Sequence, residues 1–328
     1  MASSGADRGK ARLVVALGAA AVVAVPLVIG GYHLHLLIMA AIFAILAASL
    51  GLVIGYAGLL SLGHVAFFGI GAYTSALLFL KFGISMWWGL LAAAALSSVM
   101  AFLLGALILR VRGNRFVIVT VAFAEIMRLI AHNWVDLTRG QMGLPGILPP
   151  KIAFLGIDFN DKASFYYLVV VIAFLCIWML SRIARSPLGW GFLAVRENET
   201  LGESVGVSAY RHAMAVFVVG AFFAGIAGSL YAHYINFIAP DLFYFSYTTI
   251  LLVMVVMGGL GTIAGPVIGA LVFTLVPEYL RVASEYRLVF FGAILIVGIL
   301  FVPRGLIELW ERALRALPAR VRELMARG

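Results

Sequence analysis

From Leu13 to Pro303 the sequence is a succession of long apolar runs joined by short polar connections. A helix satisfies its own backbone hydrogen bonds in lipid, so the runs read as spans of one all-α polytopic membrane bundle. Ten spans are expected, at 13–31, 34–55, 65–80, 86–109, 116–132, 164–181, 213–235, 248–260, 265–280 and 288–303. Composition supports this. Hydrophobic residues make up 64% of the chain and charged residues 11%, with a mean hydropathy of +1.11. Average soluble domains have about 45–50% and about 25%. The 328 residues would allow two soluble domains, but the apolar runs exclude that division. The 35 glycines suit helices that approach closely and backbone that opens around a pathway.

The run from Leu13 to Gly30 follows Arg8, Lys10 and Arg12, as in a signal peptide. Its near-spanning length and the spans that follow at once make it an uncleaved first span. Cys176 lies inside an apolar run and is the one cysteine, so no intrachain disulfide forms. It reads as a small core residue.

Basic residues set the orientation. With the N-terminus in the cytoplasm, sixteen Lys and Arg fall in inside segments and six in outside segments. Both termini are then cytoplasmic. The expected organisation is a tail at 1–12, a transmembrane domain at 13–303 and a basic tail at 304–328. An inside loop covers 182–212 and an outside loop 133–163. Pro145, Pro149 and Pro150 make the outside loop turn-rich rather than helical. Leu306, Leu309, Trp310, Leu314 and Leu317 among arginines suit an interfacial helix ended near Pro318. The formal charge of +9 would suggest nucleic acid in a soluble protein, but here the basic residues flank spans and point to lipid.

Two connections carry no Lys or Arg: YAGLLSLGH at 56–64 and GGLGTIAG at 258–265. With Gly55, Gly58, Gly63, Gly258, Gly259, Gly261 and Gly265 they are either breaks beside a transport pathway or ordinary tight turns. Glu125, Arg128 and His132 share one face of the fifth span. They form either a polar stripe along a pathway or an ion pair that fixes helix packing. His64 reads as a hydrogen-bonded structural histidine, since no second ligand stands at metal-binding spacing. His33 and His35 read as interfacial residues of a short outside loop. No nucleophile elbow, H-E-x-x-H or phosphate-loop signature is present. If ATP is used, another chain must hydrolyse it.

Ser186 to Gly206 is a charged island between apolar runs. Pro187 suits a first helical turn, Gly189 and Gly191 loosen the chain, and Phe192 to Val205 can form one helix stopped by Gly206. The island is either a docking element for a soluble partner or a solvated connector.

Four stretches, taken in order, resemble the permeases of branched-chain amino-acid ABC importers of the LivM type. They are GYAGLLSLGHVAFFGIGAYTSALL at 55–78, RGNRFVIVTVAFAEIMRLIAHNWVDLTRGQMGLPGI at 112–147, AVRENETLGESVGVSAYRHAMAVFVVGAFFAGIAGSLYAHY at 194–234 and MGGLGTIAGPVIGA at 257–270. The resemblance implies a second permease subunit, two ABC ATPase subunits holding ATP and magnesium, and a periplasmic substrate-binding protein, in a bacterial inner membrane. It implies no cofactor or metal on this chain, and no enzyme activity. It assigns Arg196, Glu197, Asn198, Glu199 and Gly206 to ATPase coupling, and Thr138, Gly140, Gly143 and Leu144 to an outside loop where a binding protein docks. Glu125 and Arg128 match polar positions of the mid-chain signature. Trp190, Gly202 and Arg115 depart from the family pattern, and Gly202 weakens a helix by about 1 kcal/mol relative to alanine. Related permeases also serve urea and short amides. An ion-coupled secondary transporter using Glu125 is the reading from another class.

Overall fold

The computed structural model describes residues 26, 30–109, 114–152, 157–204, 206–279 and 305–308. The expected first and tenth spans and most of the basic tail lie outside the described residues. Among those described, six helices are long and apolar enough to cross a membrane. They are α1 (Gly31–Ala57), α2 (His64–Phe82), α3 (Met86–Ile108), α4 (Asn114–Asn133), α6 (Lys162–Ala184) and α9 (Ala209–Ile235). Between them lie a single turn α5 (Val135–Thr138) and a pair, α7 (Pro187–Glu197) and α8 (Glu199–Ser204). Two shorter apolar helices follow, α10 (Phe245–Gly258) and α11 (Ala264–Tyr279). They take the places of the expected eighth and ninth spans.

Local chemistry sets the helix ends. Gly58 ends α1 in the left-handed conformation, with φ 68° and its N–H on the Ile54 carbonyl, while Leu59 N–H reaches Val53. This is the glycine-capped end that returns two orphan carbonyls to the chain. Asp161 caps α6 through a side-chain bond to Ala163 N–H, and Ser208 caps α9. His33 and His35 belong to the first turns of α1, not to a loop, because Leu34 N–H already bonds to Gly30. His35 stacks on Tyr234 and shares a 2.7 Å hydrogen bond with its hydroxyl.

The most buried spans are α1 and α9, and α4 is the least. Helix α9 packs on α3, α2 and α1, while α1 also carries α11 and α6. Between apolar helices in lipid the attraction is packing and hydrogen bonding rather than expulsion of water. Both are visible. A Cβ on Gly228 would run into the Phe68 carbonyl of α2, and one on Gly71 into the Gly225 backbone. Ser97 donates to the Phe67 carbonyl at 2.9 Å, and Ser229 to Ser75 at 2.8 Å. Ser75 also lies 3.0 Å from His233 Nε2, whose Nδ1 meets the Leu148 carbonyl at 2.7 Å.

The loop between α4 and α6, expected on the outside, is built of turns and two-residue strands. Strand β1 (Leu144–Pro145) pairs antiparallel with β4 (Phe237–Ile238), and β2 (Lys151–Ile152) with β3 (Ile157–Asp158). Lys151 bonds to Asp158 at 2.9 Å and holds that carboxyl below its usual range. After α9 the chain turns back into the bundle. A 3₁₀ turn at Pro240–Phe243 turns inward, with Phe243 stacked on Tyr73 and lying where a side chain on Gly69 would be. Ile238, Leu242 and Phe243 are buried. Non-helical backbone at this depth is tolerated because protein surrounds it. It explains why α10 needs only 14 residues.

These contacts predict the cost of a single methyl. Gly228→Ala forces α9 away from α2 and lowers the stability of the detergent-solubilised protein by about 1–3 kcal/mol. Gly202→Ala, whose nearest neighbour would be Ala194 O at 3.7 Å, is tolerated. Thermal aggregation of the two variants checks this, and equal shifts would contradict the packing account.

Candidate functional site

The fifth expected span is α4, and its charged residues pair as the spacing predicts. Arg128 Nε donates to Glu125 Oε2 at 2.9 Å, and its Nη2 lies 2.5 Å from Oε1. The guanidinium also sits 5.6 Å above the Tyr244 ring, which follows the 3₁₀ turn. The pair is not a buried clamp, because the Glu125 side chain is 52% exposed. Ala122 of α4, Asp241 of the 3₁₀ turn, and Ser246 and Thr249 of α10 are exposed, together with Ile126, Leu129 and Ile130 of α4 and Phe245 and Ile250 of α10, so this surface is mixed. The other outward faces differ. Helix α3 shows Trp88, Leu103 and Leu107, and α6 shows Val171, Phe174 and Leu175. No charged residue lies within Met86–Ile108 or between Lys162 and Arg182. His132 is half-buried at the end of α4.

The two glycine-rich connections meet, although about 200 residues separate them. A Cβ on Gly55 would lie 2.8 Å from Gly261 N, and one on Gly258 would enter the Gly265 carbonyl. Gly259 and Gly261 have φ of 124° and 87°, which side chains rarely adopt. Gly63 abuts the Thr120 carbonyl of α4. Leu62 N–H donates to Thr120 Oγ1 at 3.2 Å, and Thr248 Oγ1 of α10 donates to the Leu62 carbonyl at 3.1 Å. His64 opens α2 fully buried, with Nε2 at 2.9 Å from Ser49 Oγ. It is the structural histidine expected.

The charged island is not one helix. Helix α7 takes in Gly189 and Gly191, both buried, since a Cβ on either would collide with Ala184 backbone or His212. The chain then breaks at extended Asn198, whose Oδ1 accepts Leu201 N–H at 3.0 Å and starts α8. An asparagine that bonds its own downstream backbone competes with a continuous helix. Gly206 has φ 89°, in keeping with a stop. Glu197 is exposed. Arg196 is exposed as well, but its guanidinium reaches back and donates to the Gly55 carbonyl at the end of α1. A cavity of about 410 Å³ lies there, lined in part by Gly58, Leu60, Val117, Arg196, Glu197 and Asn198.

Thus the residues singled out from sequence fall into two groups. Arg196, Gly55, Gly58 and Gly261 come together at one end, and Glu125 and Arg128 lie on the exposed surface of α4. Sequence reasoning missed Thr120, Thr248, Asp241 and Tyr244. Their partners are distant in sequence, so no local spacing marks them.

Residues 32–299 match the protein family described as the branched-chain amino acid transport system permease component. The chain is 32% identical to the high-affinity branched-chain amino acid transport permease LivM of Salmonella typhimurium strain LT2, over 89% of this chain and 74% of the relative. It is 32% identical to LivM of Escherichia coli strain K12, over 84% and 69%. It is 27% identical to the permease LivH of Salmonella typhimurium, over 81% and 91%. No solved structure gives a significant match.

The threonine clamp makes a local prediction. Thr120→Val leaves the Leu62 N–H without its acceptor, a loss of about 1 kcal/mol, and speeds its hydrogen exchange about fivefold. Unchanged exchange at Leu62 would show that the turn does not depend on this bond.

Proposed function

This chain belongs to the branched-chain amino acid transport permeases, of the LivM type, and we propose that it is the membrane-spanning subunit of an ATP-driven importer. Its relatives are transporter subunits rather than enzymes. The proposed solutes are branched-chain or related amino acids. The proposed partners are a second permease subunit, two ATPases on the cytoplasmic side and a periplasmic substrate-binding protein. The likeness to LivH as well as LivM supports a pore made of two related chains. The arginine bias supports cytoplasmic placement of the α7–α8 hairpin and of both termini in a bacterial inner membrane.

The observation that carries the mechanism is the Glu125–Arg128 pair, whose carboxylate is exposed while its guanidinium is half-buried. Ionisable groups inside a span are costly and face a bundle interior or water. With α3 and α6 outwardly apolar, lipid belongs on those faces. The α4–α10 surface, with Asp241 and Tyr244 beside the pair and Ser246 and Thr249 exposed on α10, then lines a wet path closed on its far side by the second permease. Glu125 is already paired with Arg128, so it offers no free carboxylate to a coupling ion, which disfavours the secondary-transporter reading. Alternating access follows: nucleotide binding closes the ATPase pair, the hairpins move, and the paired bundles change which end is open.

In sealed vesicles, leucine uptake survives collapse of ion gradients and stops when ATP is removed; the reverse would sink the importer reading. Glu125→Gln keeps normal membrane levels and assembly while lowering uptake about tenfold, a barrier change of about 1.4 kcal/mol. Lost assembly instead would make the pair a packing device. Glu197→Lys leaves insertion intact and uncouples ATP hydrolysis from uptake, and normal uptake in that variant would return the hairpin to a mere connector.

A further inference from the structure

Arg196 sits in the hairpin proposed to meet the ATPases, yet its guanidinium donates to the Gly55 carbonyl inside the chain. Helix α1 ends two residues later, at Ala57, and its capping turn returns partners to Val53 and Ile54. The Gly55 carbonyl is among those left without an intrahelical partner, and a cation at a helix C-terminus is favourable. The stem of Arg196 lies against Gly58, where a Cβ would stand 3.2 Å from Arg196 Cγ. On its other side, Gly55 abuts Gly261 in the turn between α10 and α11. The same break, continued to Leu62, is held by Thr120 of α4 and Thr248 of α10. Those two helices bear the exposed polar surface.

We propose that Arg196 is a positioning residue, an internal strut that makes the α7–α8 hairpin and the Gly58–Gly63 turn move as one piece. With the Arg196 guanidinium engaged on Gly55, contact with the ATPase then falls to neighbours such as Glu197, and Arg196 passes their displacement to the turn that α4 and α10 grip. This rests on the importer reading and adds to it the route by which the hairpin reaches the pathway.

The test uses the complete complex with its ATPases, and nitroxide labels at Thr200 on the hairpin and Leu60 on the turn, both exposed. In the unaltered complex both labels shift when a non-hydrolysable ATP analogue binds. Arg196→Met retains much of the stem but cannot donate. With it the ATPases still co-purify and hydrolyse ATP, the hairpin label still shifts, and the turn label does not. Leucine taken up per ATP falls about tenfold, and Arg196→Lys, which keeps a donor, restores at least half of it. A turn label that shifts as before, or loss of the ATPases from the Met variant, overturns the proposal. A crosslink between cysteines at Leu60 and Val195, which line the same cavity, in a chain that keeps Arg196 and Glu197 gives a second measurement. Retained uptake supports one rigid piece, and blocked uptake contradicts it. If the hairpin label fails to shift even in the unaltered complex, the importer reading itself has failed.

Discussion

The break after Ala57 is closed from three directions: Arg196 on the Gly55 carbonyl, Thr120 on the Leu62 N–H, and Thr248 on the Leu62 carbonyl. A chain cannot leave its helix within a membrane bundle unless its freed backbone groups find partners there. These partners come from α7, α4 and α10, so the break is where those helices are joined. Glycines let the joint close, because Gly55 and Gly261 touch where side chains would hold α1 off the turn between α10 and α11.

A second consequence follows from the inward turn at Pro240–Phe243. It brings Tyr244 and Asp241 beside α4, where Arg128 lies over the tyrosine ring, and it starts α10 part-way through the bundle. The charged pair on α4 thereby gains polar neighbours without being buried. Helices α3 and α6 carry Trp, Leu and Phe on their outer faces and have no charged residue between Met86 and Ile108 or between Lys162 and Arg182. The outer faces of α3 and α6 are thus uncharged and suited to acyl chains, while the surface of α4 and α10 mixes exposed Ile, Leu and Phe with a charged pair, which suits another protein.

Much of this was legible from residues. The six described long helices follow from apolar length, the α1 terminus from Gly58, and the Glu125–Arg128 pair from i,i+3 spacing. Three features were not. One helix was expected over Phe192–Val205, but Asn198 caps a new helix with its own side chain, and propensity alone does not show which alternative wins. The inward turn reads as an ordinary loop in sequence, since its depth depends on room beside Gly69. The meeting of the two glycine connections, and the direction taken by Arg196, depend on contacts between residues about 140 to 200 apart; periodicity carries no information at that range.

The claim that α4 and α10 line a water-filled path is tested most directly by thiol accessibility. Cys176 is buried and is the one native cysteine, so single cysteines can be placed in a Cys176→Ser background of the assembled complex. With a charged, membrane-impermeant thiol reagent, cysteines at Ala122, Ser246 and Thr249 react, at rates that change when nucleotide binds, whereas those at Leu103 and Phe174 stay unmodified. Protection at the first three positions, or equal reaction at all five, would contradict the account.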